Sequence, residues 1–204
     1  MMRFFYPVPV VQIIMAFVIG FILVFITIPV IIRISRLKNL NDEPNDRKVN
    51  KQVVPNLGGV AIFIGISLAT LLSLHQYQFI EFRYIQAAMI ILFFTGIKDD
   101  ILVISPSKKF MAQILCALLL ILMADIRFTH LHYIFGVSQI NDLLSLLISL
   151  VAIVAIINAV NLIDGIDGLA GATGIFAAVI LGFKFMLKGN SHYGVLASAI
   201  AGSL

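Results

Sequence analysis

Of 204 residues, 61% are hydrophobic and 12% charged, the mean hydropathy is +1.08 and the net charge is +4. An average soluble domain carries roughly 25% charged residues, so this composition excludes a soluble globular enzyme and describes a polytopic membrane protein. No basic stripe is interleaved with aromatics, which argues against a nucleic-acid partner, and a single cysteine, Cys116, excludes an intramolecular disulfide.

Uncharged runs occupy 4–32, 52–80, 84–97, 110–124, 143–163 and 168–183, and a seventh begins near Gly194. A spanning helix needs about 20 residues. The third, fourth and sixth runs are short, and their flanking Arg83, Lys98, Lys109 and Lys184 can snorkel to extend them. The expected fold is all-α, a polytopic transmembrane helix bundle of six spans plus part of a seventh. The first run is too long for a signal-peptide core and has no small-residue cleavage site, so it is expected to be retained. The chain stops at Leu204 inside an apolar run, so residues 1–204 are expected to form a single integral membrane domain, the N-terminal fragment of a longer protein.

Orientation follows from the basic residues. The polar loop 41–56 and its flanks hold Arg33, Arg36, Lys38, Arg47, Lys48 and Lys51, and with Lys98, Lys108 and Lys109 that face carries nine of 14 basic residues. Arg3, Arg83, Arg127, Lys184 and Lys188 lie opposite. The positive-inside rule then places the amino terminus outside and the loop in the cytoplasm, against the anionic leaflet. Within the loop, Pro44, Pro55 and the pair Gly58-Gly59 break helix. His75, His130, His132 and His192 fall on the outer side with no shared spacing, which suits interfacial side chains better than a metal site.

The third span returns to the cytoplasm at Gly96-Ile97-Lys98-Asp99-Asp100. Two carboxylates at a helix C-terminus face the negative end of its dipole, an unfavourable placement unless a cation compensates. Mg2+ takes oxygen ligands and is commonly held by one or two carboxylates plus substrate phosphates. Next, Ser105-Pro106 has the form of an N-cap followed by proline at the first helical position. Lys108 and Lys109 fall in the following turn, where cations oppose the dipole. Both signs of charge are misplaced for helix stability, which fits either a bound metal and anion or a solvated interfacial loop.

The fifth run delivers Asn161-Leu162-Ile163-Asp164-Gly165-Ile166-Asp167-Gly168-Leu169-Ala170-Gly171. If helix continues, Asn161, Asp164 and Asp167 step by three along one face, so like charges stand together and ask for a cation between them. An ordinary Asp-Gly turn between two helices has the same spacing. From Asp100 the chain crosses out and back before Asn161, so Asp99, Asp100, Asp164 and Asp167 are all expected on the cytoplasmic side.

These residues carry a resemblance. The Asn161 to Ala170 stretch is similar to the signature of the polyprenyl-phosphate N-acetylhexosamine-1-phosphate transferases, the superfamily that includes bacterial phospho-MurNAc-pentapeptide transferase. Asp46-Arg47-Lys48-Val49 with Pro55-Asn56-Leu57-Gly58-Gly59 resembles its first cytoplasmic loop, and Asp99-Asp100, Ser105-Pro106 and Lys109-Phe110 with Gln113 resemble its second. Three ordered blocks covering most of the chain are far more specific than one Asp-Gly pair.

The resemblance implies transfer of a sugar 1-phosphate from a UDP-sugar to undecaprenyl phosphate, with UMP released, at the cytoplasmic face of a bacterial inner membrane. UDP-GlcNAc is the implied donor and UDP-MurNAc-pentapeptide the runner-up. A cation-coupled transporter and a non-catalytic remnant are the readings from other classes; no repeat or pair of broken helices supports the transporter. By resemblance Asp99 and Asp100 lie at the acceptor phosphate or its metal, Asn161 at Mg2+ (or Mn2+), Asp164 and Asp167 at the nucleotide, and Lys109 and Arg47 at substrate anions. The implied partners are the UDP-sugar, the polyprenyl phosphate and the lipid bilayer, with a homodimer as the assembly to test. Two departures stand out: Asn50 replaces a frequent histidine and Asn56 a frequent arginine. The family's later Met-Gly-Asp block does not occur before Leu204, so the chain as given is expected to lack a complete site.

Overall fold

The computed structural model describes residues 8–38, 41–42, 54–55, 57–74, 79–102, 104–131, 139–163 and 168–204. Among them are seven helices: α1 (Val8–Leu37), α2 (Gly58–Ser73), α3 (Phe82–Leu102), α4 (Pro106–Met123), α5 (Asp142–Ile163), α6 (Leu169–Leu187) and α7 (Ser191–Ser203). After α1, a two-residue antiparallel ladder pairs β1 (Asn41–Asp42) with β2 (Val54–Pro55), setting Asn41 opposite Pro55. Apart from this ladder and an isolated bridge between His130 and Gln139, the regular structure among the described residues is helical.

Helix lengths depart from the uncharged runs. α1, α4, α5 and α6 are long and apolar enough to cross a membrane, and the chain is a multi-pass membrane protein. Large apolar side chains point outward along these helices, with Phe25 70% and Phe176 68% exposed, as lipid-facing residues do. The 52–80 run yields a helix of only 16 residues, because Pro55 is held in the ladder and Gly58 begins the helix. α3 reaches 21 residues by continuing through Lys98, Asp99 and Asp100. α4 starts at Pro106, ahead of its uncharged run, and takes in Lys108 and Lys109. Among the described residues four helices therefore have membrane-crossing length and composition; of the remaining elements expected as spans, α2 and α7 are short, at 16 and 13 residues, and α3 carries Arg83, Lys98, Asp99 and Asp100.

The described elements form two compact units, one of α1, α2, α6 and α7 and one of α3, α4 and α5. In the first, α7 packs on α1, α2 and α6. Lipid offers apolar helices no hydrophobic reason to associate, so close approach depends on small residues. Gly194, Ala197, Ala199, Gly202 and Ser203 of α7 are buried. A Cβ on Gly202 would run into the Phe17 backbone, and one on Gly20 would lie 2.6 Å from Ser203 Oγ. Ser198 Oγ adds a bond to Ile13 O at 2.7 Å. α6 ends in a Schellman turn: Asn190 N–H donates to Phe185 O at 2.9 Å and Gly189 N–H to Met186 O at 3.0 Å. Gly189 has φ +77° there, a conformation glycine adopts without strain.

In the second unit α4 packs between α3 and α5, around Ala88, Cys116, Ala117, Ile121 and Val154. Cys116 Sγ donates to Ala88 O at 3.5 Å. α5 is capped by Asn141, whose Oδ1 accepts the Leu144 N–H at 2.8 Å, satisfying one of the donors a helix start leaves unpaired. The loop between α4 and α5 is tied to α5 by two buried serines. Ser145 Oγ donates to Phe128 O at 2.6 Å and Ser149 Oγ accepts the Phe128 N–H at 2.9 Å. At the same end Arg127 bonds Asp142 at 2.7 Å and Asp125 at 2.6 Å. These carboxylates, Asp142 first, push the guanidinium above its ordinary value.

Candidate functional site

The end of α3 and the start of α4 are joined through one side chain. Asp99 lies in the last turn of α3, where its Oδ1 accepts the Ile104 N–H at 3.1 Å and its Oδ2 forms an ion pair with Lys109 of α4. Ser105 occupies the N-cap position with extended backbone and Pro106 follows, as the sequence suggests, but the Ser105 hydroxyl makes no capping bond. Its carbonyl oxygen serves instead, accepting the Lys108 N–H at 3.0 Å and the Lys109 N–H at 3.3 Å.

Part of the charge misplacement read from the sequence is met within the chain, because the misplaced anion Asp99 and the misplaced cation Lys109 pair with each other. Stability does not explain the arrangement. Each charge opposes a helix dipole at a cost of about 0.3–1 kcal/mol. The pair, with side chains 42% and 24% exposed, returns about 0.2–1 kcal/mol. The two costs together, about 0.6–2 kcal/mol, overlap the gain, so the pair adds little net stability to the helices it joins. Asp100 is exposed next to it.

One turn along α4 from Lys109, Gln113 is 4% exposed inside the helical unit. Asn158 Nδ2 of α5 donates to Gln113 Oε1 at 2.8 Å, and Gln113 Nε2 donates to Asn158 Oδ1 at 3.4 Å. Asn158 Nδ2 also reaches Val154 O at 2.9 Å. A buried amide in an apolar bundle is costly unless paired, and here two amides satisfy each other. Asn161 lies one turn beyond Asn158 on an exposed part of α5, beside Leu162, which is 82% exposed.

The structure thus brings Asp99 and Lys109 into contact and places Asp100 and Asn161 in the same helical unit. Arg47, Asp164 and Asp167 lie outside the described residues. Just after them, Gly168 caps α6 with φ +73°, which explains a glycine at the last position of the Asp-Gly stretch. Among the described residues no three His, Cys, Asp or Glu side chains converge as a metal set. Asn158 was missed by the sequence reading. The signal was there: an amide three residues before Asn161, inside an apolar run, needs an interhelical partner, and Gln113 had already been singled out.

The family model described as glycosyl transferase family 4 matches residues 82–204. The chain is 32% identical over 111 residues to a probable undecaprenyl-phosphate N-acetylglucosaminyl 1-phosphate transferase of Bacillus subtilis, covering 54% of this chain and 31% of that protein. It is 30% identical over 129 residues to an undecaprenyl-phosphate alpha-N-acetylglucosaminyl 1-phosphate transferase of Salmonella typhi, covering 63% and 34%. A Haemophilus influenzae protein of the same description is 32% identical over 116 residues, covering 57% and 32%. The chain spans about a third of the length of these relatives.

Proposed function

We propose a function from one premise: this chain belongs to glycosyl transferase family 4. The complete protein transfers N-acetylglucosamine 1-phosphate from UDP-GlcNAc to undecaprenyl phosphate at the cytoplasmic face of a bacterial inner membrane, with its amino terminus outside. The observation that carries this reading is the Asp99–Lys109 pair at the polar end of α3 and α4, inside the stretch the family model matches. With Asp100 beside it, the pair supports the reading by offering one cation and two carboxylates to a lipid-borne phosphate and a water-soluble nucleotide.

In the reaction an oxygen of the acceptor phosphate attacks the β-phosphorus of the UDP-sugar. The bond from that phosphorus to the oxygen bridging toward the α-phosphorus breaks, and UMP leaves with the electron pair. The acceptor phosphate is already a nucleophile, so no serine or cysteine is needed. Both substrates are anions, and offsetting their charge in position is the main catalytic task. Lys109 supplies one cation, and Asp99 holds its ammonium while fastening the turn at Ile104. Asp100 stands at the acceptor phosphate, and Asp164 and Asp167 serve the nucleotide, with Asp167 toward the uracil.

Oxygen donors on Asp100 and Asn161 fit Mg2+, which prefers carboxylate and carbonyl oxygen and retains waters. Asp99 offers further carboxylate oxygens, which also accept the Ile104 N–H and pair with Lys109. Asp99, Asp100 and Asn161 would hold the ion, which when bound would supply charge neutralisation on the phosphoryl group. In the purified complete protein, UMP release should depend on UDP-GlcNAc, undecaprenyl phosphate and Mg2+ or Mn2+ together. Release that continues unchanged in excess EDTA would remove the metal from the reaction. A panel in which UDP-MurNAc-pentapeptide is the better donor would correct the substrate.

A further inference from the structure

We infer that the Gln113–Asn158 amide pair is a positioning device, setting Lys109 and Asn161 at a fixed separation across α4 and α5; the inference rests on the transferase reading above. Two ties define the register of these helices. Phe128, after α4, is held by Ser145 and Ser149 near the start of α5. Gln113, nearer the start of α4, is held by Asn158 near the end of α5. The ties run in opposite sequence order, so the helices are antiparallel. Lys109 lies four residues before Gln113 and Asn161 three residues after Asn158. Each is about one turn from the amide pair, and in antiparallel helices both steps lead toward the same end.

Neither amide touches the ion pair in which Lys109 takes part, and Gln113 is 4% exposed. The pair therefore acts on chemistry through the helices that carry it. Its two bonds also resist rotation and sliding of α4 against α5, which apolar packing of Ala117 and Ile121 resists less specifically. Reacting groups misplaced by about 1 Å can lose on the order of a hundredfold in rate. Losing the amide pair should therefore cost turnover more than substrate affinity.

The test uses the complete protein in detergent with UDP-GlcNAc and undecaprenyl phosphate. Gln113→Leu, Asn158→Leu, the double leucine variant and the exchange Gln113→Asn with Asn158→Gln are compared for kcat, KM for UDP-GlcNAc and thermal midpoint. Each leucine variant is expected to lower kcat by about tenfold to a hundredfold while KM changes by less than about threefold. The double variant should be no worse than the singles, because one interaction is removed either way. The exchange variant keeps two amides facing each other and should recover most of the lost kcat. Leucine variants with a lowered midpoint and unchanged kcat would make the pair purely structural and overturn the inference, as would an exchange variant that stays folded without recovering kcat. A wild type that releases no UMP with any donor sinks the transferase reading and this inference with it, whereas an active wild type whose leucine variants match it sinks the inference alone.

Discussion

Asp100→Asn in the complete protein is expected to lower turnover at saturating UDP-GlcNAc by about a hundredfold to a thousandfold, on the order of 3 to 4 kcal/mol of transition-state stabilisation. The substitution keeps the size of an exposed side chain and removes its charge, so folding should be little affected. Neutralising a carboxylate at the membrane surface also lowers any cost of insertion. Asp99→Asn should lose turnover to a similar degree by a different route. Its oxygen can still accept the Ile104 N–H, but it no longer holds the Lys109 ammonium by charge. UMP release at saturating and limiting UDP-GlcNAc, with membrane levels of each variant checked, measures both. If both variants keep wild-type turnover at saturation, the paired carboxylates are a solvated loop and the reaction centre lies elsewhere.

Lys109→Met should be nearly as severe, about a hundredfold in kcat/KM. It removes the cation proposed to offset the charge of the two anionic substrates and leaves Asp99 facing the negative end of α3 without its partner. Lys109→Arg keeps the charge but replaces a compact ammonium with a planar fork, so it should recover only part of the loss. Because Asp99 and Lys109 act as a unit, Asp99→Asn combined with Lys109→Met should stay within about threefold of the worse single variant. Losses that multiply instead would show that the two side chains serve separate purposes.

The positions of the helices were legible because lipid reduces the folding problem to runs of uncharged residues, and each run did produce a helix. Their ends were less legible. The run at 52–80 looked ample, yet Pro55 and Gly58 leave α2 at 16 residues, and the charged ends of α3 and α4 are helical where an uncharged-run criterion stops short. Within the candidate site, dipole arguments correctly identified Asp99 and Lys109 as misplaced charges. They left the compensation open between bound ions and a solvated loop, because a one-dimensional reading does not show that ten residues of chain turn back to set one on the other. Asn158 escaped for the same reason: the need for a partner is local, while its partner Gln113 is on another helix. The resemblance supplied the roles of Asp164, Asp167 and Arg47, which spacing alone left open between a nucleotide site and an ordinary turn.

In the proposed reaction sugar and β-phosphate move together onto the lipid while the α-phosphate stays with uridine. UDP-GlcNAc labelled with 32P at either the α- or the β-phosphorus tests it directly, using the purified complete protein, undecaprenyl phosphate and Mg2+. The β-label is expected in the organic-extractable lipid while the α-label remains in water as UMP. Both labels remaining in water as UDP while the sugar is transferred, or neither label moving in the presence of acceptor, would contradict it.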